Sequence, residues 1–308
     1  MRIAHPATFR NGLWLLREPK LGIRLYKNMV LARMFERRLI RLAQENKLQW
    51  PIYPSYGQEA CGIGVSAAAA ERDLFLLTLN YRVIPYVVGR NVGLQKYTDA
   101  FFHCLPAPDS REFFDKGFAP FSDSLGAHFG LALGWGLAFK SSGADRVCVC
   151  VFGDGAATRG TFHGAMNLSA LLGLPILWVC ETNQYSVSTP RSLLSAASSF
   201  ADHAASYRMR SSAVDGNDVL EVCRRVKKEL EAVRKDAKPA FIELMTYRMK
   251  EHAFGDPDDY RSVSEQERWE KRDPIGMLER KLRALRVADS RSLAAVHEEA
   301  FAAVAAII

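Results

Sequence analysis

Two oxygen-bearing side chains follow two apolar segments of the chain, and their types suit the binding of a hard metal cation. Asp154 comes after the apolar residues 147–152, and Asn183 comes shortly after a second apolar run over residues 174–180. Both runs have the composition of buried strands, and neighbouring parallel strands end at one edge of a sheet. The pair therefore predicts a site for a divalent cation such as Mg²⁺, together with a diphosphate group.

The residues around Asp154 suit the close approach of a phosphate. Gly153 and Gly155 flank it, and glycine lets the backbone approach a ligand closely. The backbone N–H groups of Gly155 and Ala156 can donate to phosphate oxygens. A backbone carbonyl near Tyr185 would add a third protein oxygen for the metal. The Gly-Asp-Gly segment alone could be a simple tight turn, so the prediction depends on its pairing with the amide after the second strand.

The order of the predicted elements indicates the fold class. Apolar strand patterns over residues 147–152, 174–180 and 240–246, with a strand-like run over 73–79, alternate with helical patterns. This alternation is typical of an α/β fold with a doubly wound parallel sheet and helices on both faces. The predicted helices span residues 22–46, about 55–70, 94–104, 125–139, 161–172 and 218–234, with a helical tail over about 274–308.

The chain is predicted to form one domain. Its 308 residues are 48% hydrophobic, which is enough to build a large core. We see no repeat, low-complexity stretch or convincing linker, so residues 21–308 are expected to fold as a single domain after an irregular arm over residues 1–20. Asp218 is placed as the N-cap of the helix over residues 218–234.

Charge and cysteine content argue against several functional classes. The net charge of +7, from 41 basic and 34 acidic residues, is mild, and the basic stretches 33–38 and 224–228 lie on helical patterns. Such stretches are typical of solvated helix faces, so no nucleic-acid partner is expected. No apolar run reaches the roughly 18 residues that span a bilayer, so no membrane association is expected. The six cysteines are expected to be reduced, which indicates a cytoplasmic protein.

Motifs along the chain resemble those of a known family. Gly153-Asp154-Gly155 with Asn183 downstream resembles the thiamine-diphosphate fingerprint, in which GDG is followed by Asn. More narrowly, roughly residues 20–300 resemble the α subunits of heterotetrameric E1 components of 2-oxo-acid dehydrogenase complexes and of their acetoin-dehydrogenase relatives. The other matching segments, in family order, are residues 34–36, 56–60, 81–82, 214–218 and 246–248, then His252, Asp256-Pro257 and Tyr260-Arg261.

The resemblance implies a thiamine-diphosphate-binding fold of the diphosphate-binding type, with thiamine diphosphate and Mg²⁺ as cofactors. Mg²⁺ would be bound by Asp154, Asn183 and the backbone carbonyl of Tyr185. The residues implied in cofactor binding as a whole are Tyr81, Arg82, Asp123, Leu125, Gly153, Asp154, Gly155, Ala156, Asn183, Tyr185 and His252.

These implied roles divide between the two ends of the cofactor. Tyr81, Arg82 and His252 would hold the diphosphate, because Arg offers a bidentate fork and the other two offer single donors. Backbone groups around Asp123 and Leu125 would contact the aminopyrimidine. His252 would also act as a catalytic residue near the reacting centre. The alternative interpretations are a surface pair for the Tyr-Arg pair and a polar loop residue for the histidine. The position of the histidine between a predicted strand and an Asp-Pro turn favours a functional role.

The resemblance also implies a partner and a reaction. In this family the glutamate that activates the aminopyrimidine belongs to a β subunit, so the chain is expected to form an α2β2 assembly with a transketolase-like β subunit. The implied reaction decarboxylates a small 2-oxo acid, or acts on an acyloin, and passes the acyl unit to a lipoyl-bearing E2 protein. Two alternatives stay open, namely a thiamine-diphosphate-dependent carboligase subunit of the transketolase type and a non-catalytic scaffold or regulatory subunit.

Some residues depart from the family pattern. Ile84-Pro85 stands where the family usually has His-Gly after the Tyr-Arg pair, which puts proton handling or substrate choice in question. Asp123 replaces a small residue, and Lys250-Glu251 makes the entrance to the site more charged. These departures favour a specialised member of the family over an enzyme of central metabolism.

Overall fold

The computed structural model of the chain describes residues 14–48, 51–78, 81–102, 110–119 and 124–307. Within them, the strands are β1 (Leu74–Leu76), β2 (Cys148–Gly153), β3 (Ile176–Thr182), β4 (Tyr185–Ser186), β5 (Thr189–Pro190), β6 (Arg210–Asp215) and β7 (Ala240–Met245). Strands β1, β2, β3, β7 and β6, in that spatial order, form one parallel sheet. Strands β4 and β5 form a small antiparallel hairpin.

Helices cover both faces of this sheet, which confirms the predicted doubly wound α/β fold. The longer helices are α1 (Pro19–Gln44), α2 (Glu59–Ala68), α4 (Leu94–Phe102), α6 (Ala127–Ser142), α8 (Gly160–Leu172), α10 (Val219–Asp236), α11 (Val263–Glu270), α12 (Pro274–Ala284) and α13 (Ser290–Ala305). The shorter helices are α3 (Ile84–Gly89), α5 (Ser110–Asp115), α7 (Asp154–Ala157) and α9 (Phe200–Ser206).

Alternation along β2 divides its side chains between two hydrophobic cores. Val149 and Val151 belong to the core under α1, α2 and α10, whereas Cys148 and Cys150 belong to the core under α6 and α8. Both cysteines therefore point to one face, as the sequence predicts. Because both faces are buried, the strand is a continuous apolar run instead of an alternating one.

Small residues let α2 lie close to its neighbours. A Cβ placed on Gly64 would lie 2.7 Å from Val222 of α10, and one on Gly62 would lie 2.5 Å from Pro85 of α3. Both distances are shorter than carbon atoms tolerate, so glycine is required there. At the start of α10, the Asp218 side chain accepts hydrogen bonds from the backbone of Leu220 and Glu221, which confirms the predicted N-cap.

Several elements differ from the sequence prediction. Strand β6 was not predicted, because its exposed edge residues are mostly polar and lack an apolar run. Helices α3 and α9 are too short for a visible helical period. Of the predicted irregular arm, residues 14–17 and the residues from Pro19 are helical, and residues 1–13 lie outside the described part. Among the described helices, none is long and apolar enough to cross a membrane.

Candidate cofactor site

The parallel sheet brings Asp154 and Asn183 to the same edge. Strand β2 ends at Gly153, directly before Asp154, and β3 ends one residue before Asn183. Because β2 and β3 pair in register, with Gly153 opposite Glu181, their carboxyl ends lie side by side. The juxtaposition inferred from the two apolar runs is present in the structure.

A cavity of about 170 Å³ opens at this edge. Every predicted site residue that the structure describes lines it, from the β1–α3 connection, the start of α6, the ends of β2 and β3, and the segment after β7. Asp123 lies outside the described residues. The predicted residues that line the cavity are Tyr81, Arg82, Leu125, Gly153, Asp154, Gly155, Ala156, Asn183, Tyr185 and His252.

The Asp154 carboxylate is buried, and only one of its two oxygens accepts a hydrogen bond from a described residue. Its side chain is 2% exposed, and Oδ1 accepts a 2.9 Å hydrogen bond from the Gly155 backbone. Oδ2 has no hydrogen-bond partner among the described residues. Burial raises the pKa of Asp154 to about 6, against the opposing effects of the Gly155 hydrogen bond and the positive charge of Arg82. An orphaned, desolvated carboxylate oxygen facing a cavity is the feature expected of a cation ligand.

The Asn183 amide is held in one orientation. Its Nδ2 donates to Oε1 of Gln58 at 3.1 Å, and its Oδ1 accepts from the Tyr185 backbone N–H at 3.2 Å. The chain turns sharply here because Gln184 has a left-handed φ of 77°. Since Oδ1 keeps a second lone pair, the amide oxygen is available to a cation.

The metal donors are of mixed type. No group of three or more His, Cys, Asp or Glu side chains in the described ranges is placed to hold a metal ion. Mg²⁺ also accepts amide and backbone carbonyl oxygens as ligands, along with phosphate and water oxygens. The donor set therefore fits Mg²⁺ bound jointly by protein and diphosphate, and does not fit a cation bound by the protein alone.

Two arginines surround His252 on the other side of the cavity. Nη2 of Arg82 donates to the His252 backbone carbonyl at 2.6 Å and lies 3.2 Å from its Nδ1. Nη1 of Arg248 lies 3.3 Å from the same Nδ1. Neither guanidinium forms an ion pair with a carboxylate within the described part, and Nε of each lacks a hydrogen-bond partner there. Arg82 lines the cavity and Arg248 contacts the same His252 nitrogen, so this concentration of unpaired positive charge predicts an anionic ligand.

These contacts fix the charge and tautomer of His252. Burial, together with the positive charges of Arg82 and Arg248, lowers the pKa of His252 to about 4. The imidazole is therefore neutral near pH 7. Because Nδ1 faces two guanidinium donors, it must be the acceptor, which assigns the proton to Nε2. His252 thus offers one N–H donor.

The segment that carries His252 is tied down at several points. Arg248 donates to the Val187 carbonyl at 2.6 Å and to the hydroxyl of Tyr260. Arg261 forms an ion pair with Asp258 and donates to the Arg248 carbonyl. These contacts make residues 248–261 a braced loop.

Aromatic and acidic side chains that the sequence did not single out complete the cavity wall. Tyr53 stacks on Tyr81 with ring centroids 4.3 Å apart, and its ring also meets the edge of His252 at 5.3 Å. Glu181 accepts a 2.5 Å hydrogen bond from the Tyr86 hydroxyl. Burial raises the pKa of Glu181 to about 7, opposed by that hydrogen bond. Pro85 lies in the first turn of α3, the helix that carries Tyr86 to this position.

Some of these residues carry a sequence signal for ligand binding. Arg248 lies three residues beyond the end of the buried strand β7, and a charged residue beyond the carboxyl end of a parallel strand is a candidate ligand-binding group. Gln58 lies within residues 56–60, a segment that matches the family pattern but for which the resemblance implies no role. His128 lies among uncharged small residues in α6, and no pattern marked it.

Comparison with known proteins agrees with this chemistry. The family model described as "Dehydrogenase E1 component" matches residues 26–308. The chain is 33% identical over 281 residues to the alpha subunit of acetoin:2,6-dichlorophenolindophenol oxidoreductase from Bacillus subtilis, covering 86% of this chain and 81% of that protein. It is 29% identical to the pyruvate dehydrogenase E1 component subunit alpha of Porphyra purpurea, covering 87% and 82%.

A mammalian relative is longer than this chain. The match to the human mitochondrial 2-oxoisovalerate dehydrogenase subunit alpha is 31% identical over 265 residues. It covers 83% of this chain but only 59% of the human protein. The similarity therefore extends over most of the fold described above.

Proposed function

The chain belongs to the dehydrogenase E1 component family, and from that premise we propose that it is the α-type half of an enzyme that decarboxylates a small 2-oxo acid. Family members are oxidoreductases that use thiamine diphosphate with a divalent metal ion such as Mg²⁺. The observation that carries the proposal is that one cavity is lined by both an orphaned Asp154 oxygen and Arg82, with Arg248 on the same His252 nitrogen as Arg82. Neither guanidinium has an anionic partner in the described residues.

Each part of the cavity has a role in this proposal. Asp154, Asn183 and the Tyr185 carbonyl hold the metal, and Arg82 neutralises the diphosphate. His252 donates its Nε2 proton to an oxygen, because its Nδ1 is already occupied by arginine donors. When bound, thiamine diphosphate supplies the carbon nucleophile and the electron sink for decarboxylation. The protein orients the cofactor and excludes water.

A partner subunit is required by the proposal, and the surface of α6 and α8 is a suitable place for it. These two helices carry no charged residue over 127–139 and 160–172. Five exposed leucines, Leu172 included, lie on them, and a Cβ added at any of four glycines would meet nothing within 4 Å. The α6/α8 face consists of Gly130, Leu131, Gly134, Leu137, Gly160, Gly164, Leu168 and Leu171.

One of the two helices starts at the cavity, since α6 begins two residues after Leu125, which lines it. Exposed apolar surface of this kind marks protein–protein interaction sites. The glycines on this face would let helices of a partner pack closely against it. We assign it to a β-type subunit in an α2β2 assembly, which would also complete the cofactor site. A lipoyl-bearing E2 protein is the proposed acyl acceptor.

Domain organisation and location are part of the proposal. We propose that residues 21–308 form one domain, supported by a hydrophobic core that joins residues from both ends of the described chain. A cytoplasmic location is supported by the cysteines that the structure describes, which are buried and form no disulfide.

The test uses the full chain co-purified with its partner subunit. We expect thiamine diphosphate to bind in calorimetry only when Mg²⁺ is present, and the complex to reduce an artificial electron acceptor with at least one of a panel of small 2-oxo acids. Arg82→Ala should abolish both signals, while Arg283→Ala, a change at an exposed position on α12, should change neither. If the complex binds thiamine diphosphate and joins two carbonyl substrates but does not turn over any 2-oxo acid, a carboligase would be favoured. No binding by the assembled pair would favour a scaffold.

A further inference from the structure

His128 is a polar side chain at the cavity that the diphosphate clamp does not explain. His128 lines the cavity and is 1% exposed. Neither of its ring nitrogens makes a hydrogen bond of acceptable geometry within the described residues, although the Val151 backbone lies near enough to affect its pKa. Buried polar groups in folded proteins are nearly always paired, so an unpaired one at a cavity indicates a missing ligand atom.

Two other orphaned polar atoms at the cavity, on Asp154 and on Arg82, already have an expected partner. Oδ2 of Asp154 is the oxygen expected to bind the metal, and Nε of Arg82 belongs to the cation that would neutralise the diphosphate. His128 belongs to a different region, the first turn of α6, three residues after Leu125. Leu125 lies two residues before the start of α6, and both Leu125 and His128 line the cavity. His128 is therefore close to the region expected to receive the aminopyrimidine.

The ring of His128 is held in place and uncharged. Its centroid lies 4.6 Å from that of Phe129 and 6.4 Å from that of Phe152. Burial lowers the pKa of His128 to about 4, with the Val151 backbone opposing the shift. A neutral imidazole offers one N–H donor and one nitrogen acceptor. An aminopyrimidine edge offers the complement, an amino donor beside a ring-nitrogen acceptor.

We propose that His128 is a positioning residue that hydrogen-bonds the aminopyrimidine half of the bound cofactor. The proposal rests on thiamine diphosphate being the ligand of this cavity, as in the proposed function. It assigns to this chain a side-chain contact to the heteroaromatic ring, in addition to the backbone contacts expected near Leu125.

The test compares two ligands, each with Mg²⁺, on the full chain assembled with its partner. Thiamine diphosphate carries the ring, and inorganic diphosphate lacks it. His128→Phe keeps an aromatic ring against Phe129 and Phe152 but removes both nitrogens. We expect it to raise the Kd for thiamine diphosphate about tenfold and to leave the Kd for inorganic diphosphate unchanged. His128→Gln, which retains a donor and an acceptor, should recover most of the affinity.

Each other outcome has a defined meaning. If His128→Phe weakens both ligands equally, or neither, the proposed contact to the ring is wrong. If His128→Gln binds as poorly as His128→Phe, the loss comes from packing and the proposal also fails. Arg82→Ala serves as the separate test of the clamp, because it should weaken both ligands. If it weakens neither, the proposed function fails independently of His128.

Discussion

Nη2 of Arg82 lies 2.6 Å from the backbone carbonyl of His252 and 3.2 Å from its Nδ1, so one guanidinium nitrogen contacts both the main chain and the ring of the histidine. This contact joins the β1–α3 connection to the loop after β7 across the mouth of the cavity. It also keeps the imidazole neutral, since an added proton on Nδ1 would face a positive charge. A change in either residue is therefore expected to affect the other.

Asp154→Asn is expected to separate cofactor binding from folding. The variant should lose the rise in melting temperature that Mg²⁺ and thiamine diphosphate give the wild type, because a carboxylate ligand is replaced by a neutral amide. Without ligands it should be as stable as the wild type or more so, because a buried charge lacking a cation is removed. Thermal unfolding with and without the two ligands measures both effects.

The control for this experiment is Asp202→Asn, which changes an exposed aspartate of α9. It should keep the full ligand-induced shift. A normal shift in Asp154→Asn would show that the carboxylate is not a metal ligand.

Arg248→Ala is expected to release the loop over residues 248–261. The side chain contacts Val187, Tyr260 and His252, so its removal deletes three attachments at once. We expect faster tryptic cleavage at Lys250 and Arg261. The Kd for thiamine diphosphate should rise by roughly 10- to 100-fold, the range for loss of a charge-assisted hydrogen bond.

Proteolysis followed by mass spectrometry, with calorimetry on the same sample, measures the two changes. Arg283→Ala is a suitable control at an exposed position on α12. Unchanged cleavage together with unchanged affinity would contradict the bracing role of Arg248.

Glu36→Gln is expected to make stability less dependent on pH. Burial and the nearby charge of Glu59 raise the pKa of Glu36 to about 8 in the folded state, from an ordinary value of 4.5. Between these values the folded chain holds a proton that the unfolded chain has released. Stability is therefore complete below about pH 4.5 and is lost as the pH rises towards 8.

We expect the wild type to lose roughly 1–4 kcal/mol more than Glu36→Gln in free energy of unfolding between pH 5 and pH 8.5. Urea denaturation at the two pH values gives this difference directly. Glu231→Gln changes an exposed glutamate of α10 and should follow the wild type. Equal pH dependence in all three proteins would rule out the elevated pKa of Glu36.

Gly164 tests the assignment of the α6/α8 face. A Cβ fits there without contact inside the chain, so Gly164→Ala should stabilise α8 by about 0.5–1 kcal/mol. Gly164→Lys should leave the chain folded but prevent assembly with a β-type partner. Size-exclusion chromatography of co-expressed subunits, with Glu231→Lys on α10 as control, distinguishes these effects. Normal assembly of Gly164→Lys would place the interface elsewhere.

The sequence predicted the parts of the site that depend on strands. The apolar runs before Asp154 and Asn183 are long, uninterrupted and buried on both faces, so the strand ends and their shared edge followed from them. Strand β6 could not be predicted in the same way. It is an edge strand with the sequence Arg-Ser-Ser-Ala-Val-Asp, and pairing with β7 fixes its extended conformation.

The parts of the site that depend on tertiary contacts were not visible in the sequence. Family resemblance identifies His252 as a site residue, but its tautomer depends on contacts with Arg82 and Arg248. Arg82 is far from His252 in the sequence, and the contact with Arg248 depends on how the loop between them folds. His128 lies three residues after Leu125, but nothing in the local sequence indicates that its own side chain faces a ligand. Its unpaired nitrogens follow from the packing of α6 against β2, which no local pattern encodes.

The unpaired charged groups in and beside the cavity affect how quickly the protein is degraded in the cell. A chain that folds before its ligands arrive buries the Asp154 carboxylate without a cation, and it holds two guanidinium groups without an anion. Such a chain is less stable than the loaded form and spends more time open to proteases. We therefore expect its turnover in the cell to follow the vitamin supply, so that scarcity of thiamine reduces the amount of enzyme as well as its occupancy.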